Sequence, residues 1–91
     1  MITVFKYPIV IDDYQVLKLP MGAKILSAEK INGLVFLWAM VDTDQPDVQA
    51  RVLRLAGTGH PLKNTCQYEF ISTIVYPISD ETLIFHLFEE K

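Results

Sequence analysis

Gly57-Thr58-Gly59-His60-Pro61 is the stretch whose residue types come closest to chemistry. Glycines let backbone N–H groups converge on an anion, and a threonine hydroxyl and an imidazole can add donors. No Gly-Lys-Ser/Thr follows, so the stretch is not a P-loop, and the chain holds no G-x-G-x-x-G for a dinucleotide fold. The plainer reading is a tight loop that needs glycine for its conformation, with His60 partly exposed. Arg51, Arg54 and Lys63 are the nearest cations in sequence, and Trp38 and Tyr68 are aromatics able to stack on a base. Together, Trp38, Arg54, Gly57, Thr58, Gly59, His60 and Tyr68 form the candidate binding set for a small anionic ligand.

Other chemistries find less support. His86 and Glu89 are three apart on a predicted strand and point to opposite faces, so they cannot chelate together. His86 shares a face with Ile84 and Phe88, the setting of a hydrogen-bonded, half-buried histidine. No ligand set has diagnostic metal spacing. Asp42-Thr43-Asp44-Gln45-Pro46-Asp47 opens like a calcium loop, but its fifth place is Pro46 and its twelfth is Leu53, where oxygen ligands are required. Cys66 has no base nearby in sequence, and no G-x-S-x-G elbow exists. No catalytic residue, metal or cofactor is assigned. The enzymatic alternative is a small hydrolase or cyclase using His60 with Asp42 or Glu89, which requires those groups within hydrogen-bond reach.

These residues must be held by a β framework. Asn32-Gly33 between two apolar runs predicts a type I′ hairpin. Its register sets Ile31 opposite Leu34, Glu29 opposite Phe36, Ser27 opposite Trp38 and Ile25 opposite Met40. One face then carries Leu26, Ala28, Leu37, Ala39 and Val41 and reads as core. The other carries Phe36, Trp38 and Met40 and is too apolar to stay fully wet. Ile2–Tyr7 reads as a first strand ending before Pro8, and Tyr14–Leu19 as a second, stopped at Pro20-Met21-Gly22. Gln49–Ala56 fits a strand better than a short helix, which remains the alternative. Cys66–Tyr76 reads as a long strand with Tyr68, Phe70, Ile74 and Tyr76 on one face, and Thr82–Glu89 as the last. The expected fold is mainly β: a small antiparallel sandwich or curled sheet of six to seven strands, with at most one short helix.

Ninety-one residues bound a single globular domain over 1–91. At 51% hydrophobic the chain is not disordered, and no apolar run reaches membrane-span length. The first residues lack a basic region followed by an apolar one, so no secretory signal is expected. One cysteine cannot form an internal disulfide, which fits a reducing cytoplasm. A net charge of −3 without a Lys/Arg cluster argues against duplex nucleic acid.

The Leu19–Ala23 corner, the Leu37–Asp42 strand, the Gly57–His60 loop and the ending His86–Glu89 carry a resemblance. They are similar to the LPxGA, LWAxVD, GTGH and terminal HxFE motifs of a family of small uncharacterised proteins associated with bacteriophage and prophage genomes. The resemblance implies action in the cytoplasm of a bacterial host, but no activity that could be carried over. Small phage proteins of this kind often capture their targets stoichiometrically. The expected function is therefore a non-enzymatic binding protein, a homo-oligomer joined through the Phe36/Trp38/Met40 face, that sequesters a nucleotide-type signalling molecule of host defence. The alternatives are a protein–protein inhibitor of a host protein, the His60 hydrolase, or a structural accessory of the virion.

Overall fold

A computed structural model describes residues 1–91 as seven strands and no helix. They are β1 (Ile2–Ile9), β2 (Tyr14–Pro20), β3 (Lys24–Ile31), β4 (Leu34–Asp42), β5 (Val48–Gly57), β6 (Tyr68–Ile78) and β7 (Glu81–Glu90). All neighbours pair antiparallel, in a three-stranded sheet of order β1-β4-β3 and a four-stranded sheet of order β2-β5-β7-β6. The two pack as a small sandwich. They meet most closely where β3 runs along β6 without a shared backbone ladder. There the Ser72 hydroxyl donates to the Ala28 carbonyl at 2.7 Å, and the Lys30 ammonium lies 5.1 Å from the Tyr76 ring centre.

The β3–β4 turn has the expected type I′ character, with φ of 50° at Asn32 and 81° at Gly33. Its register holds from Ile31↔Leu34 to Ser27↔Trp38, then slips. A bulge at Leu26 pairs Ile25 with Ala39 and Lys24 with Met40. Because side chains alternate, one extra residue exchanges the two faces beyond it. Ile25 therefore packs on the core while Leu26 is exposed, the reverse of the regular hairpin. A second bulge, at Ile71 in β6, has the same effect. Tyr68 and Phe70 stand on the outer face of the four-stranded sheet, whereas Ile74 and Tyr76 face the core. The predicted single aromatic face of this strand is thus split in two.

Two boundaries also differ from expectation. β1 continues through Pro8 to the buried Ile9. As an edge strand it tolerates a residue with no N–H to donate. Cys66 lies in the loop before β6 rather than in the strand. Gln49–Ala56 lies within β5, paired on one side with β2 and on the other with β7, so the helical alternative falls. A central strand with partners on both sides satisfies the backbone groups a helix would have satisfied internally.

Leu19, Leu37, Leu53, Ile74, Leu87 and Val41 form the fully buried centre. The core is thin: only 15 of 91 residues are buried, and large apolar side chains remain exposed on both outer faces.

Candidate functional site

The outer face of the four-stranded sheet is the most elaborated surface of the molecule. Strand alternation places Tyr14, Val16 and Lys18 of β2 there, with Arg54 of β5, His86 and Phe88 of β7, and Tyr68 and Phe70 of β6. The loop leaving β5 at Gly57 folds back along one side of this face. Phe88 is the centre of an aromatic row, with Tyr68 and Phe70 each edge-on to it at 5.8 Å between ring centres. Phe70 is 57% exposed, so the row is open to solvent on its β6 side.

Arg54 lies beneath this surface. It is 7% exposed, and its guanidinium donates to the carbonyls of Leu55 (2.7 Å), Asp13 (3.3 Å) and Pro61 (3.2 Å). The Tyr14 ring covers it at 5.0 Å, and Lys63 approaches the same ring at 5.0 Å. Arg54 therefore joins the β2 entrance to the Gly57–Gln67 loop, using a planar fork to collect carbonyls from both. Its guanidinium is thus engaged within the fold. Arg51 is likewise engaged, on the inner side, by Glu89 and the Ala23 carbonyl. Of the three cations nearest the loop in sequence, Lys63 is the exposed one.

The Gly57–His60 turn is held from two directions. Thr58 donates its N–H to the Ile84 carbonyl at 3.3 Å, and its hydroxyl is 2.8 Å from His86 Nε2. The other imidazole nitrogen, Nδ1, is 3.2 Å from the Thr73 hydroxyl. His86 is thus the half-buried, hydrogen-bonded histidine its face suggested. His60 donates its N–H to the Gly57 carbonyl at 3.0 Å, closing the turn around Gly59, whose φ is +86°. Its ring lies so close to Gly57 that a Cβ there would stand 2.9 Å from it. The N–H groups of Thr58 and His60 are thus occupied within the fold, so the turn is a braced corner, not an open ring of donors.

Tyr68 accepts a hydrogen bond from the Lys63 N–H at 3.2 Å, which ties the far end of the loop to the aromatic row. Loss of hydration, then its contact with the Tyr14 hydroxyl, raises the Tyr68 phenol above its ordinary value. Trp38 is elsewhere. It lies half-buried on the outer face of the three-stranded sheet, edge-on to Phe36 with centres 6.5 Å apart. The fold therefore gathers Arg54, Gly57, Thr58, Gly59, His60 and Tyr68 along one side and sets Trp38 on the opposite side.

Neither acid suggested for His60 meets it. Glu89 is held by Arg51 and Lys91, and Asp42 accepts the Asp44 N–H beside the Met1 amine. A cleft of about 440 Å³ opens beside the Arg51–Glu89 pair, bordered by Gly22, Gln49 and Lys91. Sequence reasoning missed Tyr14, Asp13 and Phe88 as members of the loop-side face. Tyr14 directly follows the polar corner at Asp12-Asp13, and a β2–β5 pairing would have placed it opposite Arg54.

A family model described as Domain of unknown function (DUF7352) matches residues 1–91, and the chain belongs to that family. No curated protein and no solved structure matches it.

Proposed function

We propose that this member of the family is a non-enzymatic binding protein whose loop-flanked aromatic face takes a partner protein. The observation that carries the reading is the open Tyr68–Phe88–Phe70 row, with Phe70 57% exposed on a rigid sheet and Lys63 at its margin. Exposed aromatic side chains on regular structure give large contact area at low entropic cost, as protein interfaces do. The face is broad and shallow, and its best-placed guanidinium is spent on backbone carbonyls. Those features favour a protein surface over an enclosed nucleotide. In the phage setting implied by the resemblance, the partner would be a protein of the bacterial host, met in its cytoplasm.

Phe70→Asp and Lys63→Glu, both exposed positions, test the reading. Each should abolish capture of a host protein that the unaltered chain retains, with thermal stability preserved. A panel of nucleotides should leave the melting temperature unchanged. A nucleotide-induced rise that Phe70→Asp removes would instead favour sequestration of a small signalling molecule on the same face. Capture that survives both substitutions would end the assignment of this surface.

A further inference from the structure

The opposite side of the sandwich supports a separate inference. On the outer face of the three-stranded sheet, Phe36, Trp38 and Met40 run down the central strand β4. Ile2 and Val4 flank them on β1 and are 63% and 47% exposed. The accessible surface of the whole chain is 5933 Å². A folded monomer of this mass is expected to expose about 5,400 Å². That excess of roughly 500 Å² belongs to the whole chain, and the exposed Ile2, Val4 and Met40 of this face contribute to it.

Two of the charges on this face suit a second copy of the same chain, while Lys24, in register with Met40 toward the end of the row, lies outside the pairing. Lys6 on β1 and Glu29 on β3 stand on either side of the β4 row, in register with Trp38 and Phe36 respectively. The Lys6 ammonium leans over the Phe36 ring at 4.6 Å, which brings it to the level of Glu29. A twofold axis lying between two such faces and parallel to β4 carries β1 of one copy over β3 of the other. Lys6 then meets Glu29 twice, while the Phe36–Trp38 rows pack on each other. An axis running across the strands would set Lys6 against its own copy, which like-charge repulsion disfavours. We infer that this chain forms a face-to-face homodimer through the β1-β4-β3 sheet, with Lys6 and Glu29 as reciprocal ion pairs flanking a Phe36–Trp38 centre. The assembly leaves the loop-side face free, so it does not depend on what that face binds.

A charge swap decides the matter. Light scattering should report twice the 10.4 kDa chain mass at micromolar concentration. Emission from Trp38, the single tryptophan, should shift to the red on dilution as the interface opens. Lys6→Glu and Glu29→Lys, both at exposed positions, should each weaken association at least tenfold, and the two together should restore it. Circular dichroism of each variant confirms that the sheets are intact. A monomeric mass up to millimolar concentration would overturn the proposal. So would a dimer insensitive to both reversals, or a double swap that fails to recover association.

Discussion

Arg51 on β5 and Glu89 on β7 form a two-pronged ion pair on the inner side of the four-stranded sheet, with the third prong of the guanidinium on the Ala23 carbonyl at 2.8 Å. Both side chains are largely shielded, at 12% and 6% exposure. The hydrogen bonds from Arg51 hold the Glu89 carboxyl below its ordinary value of 4.5, against the opposing effect of burial. A carboxyl depressed in the folded state contributes stability that is complete above its unfolded value and lost as pH falls through the folded one. Acid unfolding should therefore steepen below about pH 4.5 in the unaltered chain and less so in Glu89→Gln. At neutral pH that substitution leaves a shielded guanidinium without its counter-ion and should cost on the order of 3 kcal/mol. Joint replacement by Arg51→Met and Glu89→Leu should recover most of the loss. Chemical denaturation across pH reads all three.

The Leu26 bulge reverses which neighbour is indispensable. Leu26→Asp, at a 43% exposed position, should change stability by no more than about 0.5 kcal/mol. Ile25→Asp places a carboxylate against the core and should cost upwards of about 3 kcal/mol, or prevent folding. A regular hairpin would give the opposite order, so urea midpoints of the two variants read the register directly.

Gly57 and His60 are coupled through space. A methyl group on Gly57 must push the imidazole away, since it would sit 2.9 Å from the ring. Gly57→Ala should cost about 1 kcal/mol in the presence of His60 and little once His60 is Ala. A double-mutant cycle on thermal unfolding measures the coupling, and additive effects would show that the ring does not rest there.

Much of the architecture could be read from residue order, and the parts that escaped share a physical cause. Asn32-Gly33 announces its turn because positive φ at consecutive residues is costly for almost any other pair. β5 was legible because its β-branched and apolar residues suit a strand with neighbours on both sides. The bulges at Leu26 and Ile71 left no trace, since inserting one residue alters no composition and breaks no local preference, yet it exchanges faces along the rest of the strand. The candidate site suffered from that directly. Tyr68 and Trp38 share an aromatic character that suggests a common surface, but topology sends them to opposite sides. Arg54 looked available because arginine usually is. Its burial depends on Asp13 and Pro61, contributed by two separate loops, and no local pattern encodes their convergence.

The thin core sets a condition on the life of the molecule. With only 15 buried residues and an enlarged surface, the isolated chain has a small margin over its unfolded ensemble. Any species that binds only the folded form adds to that margin in proportion to the logarithm of its concentration. A copy without company would spend more time open to proteases than one that is occupied. If the proposed dimer forms, resistance to proteolysis would rise with the concentration of the chain itself.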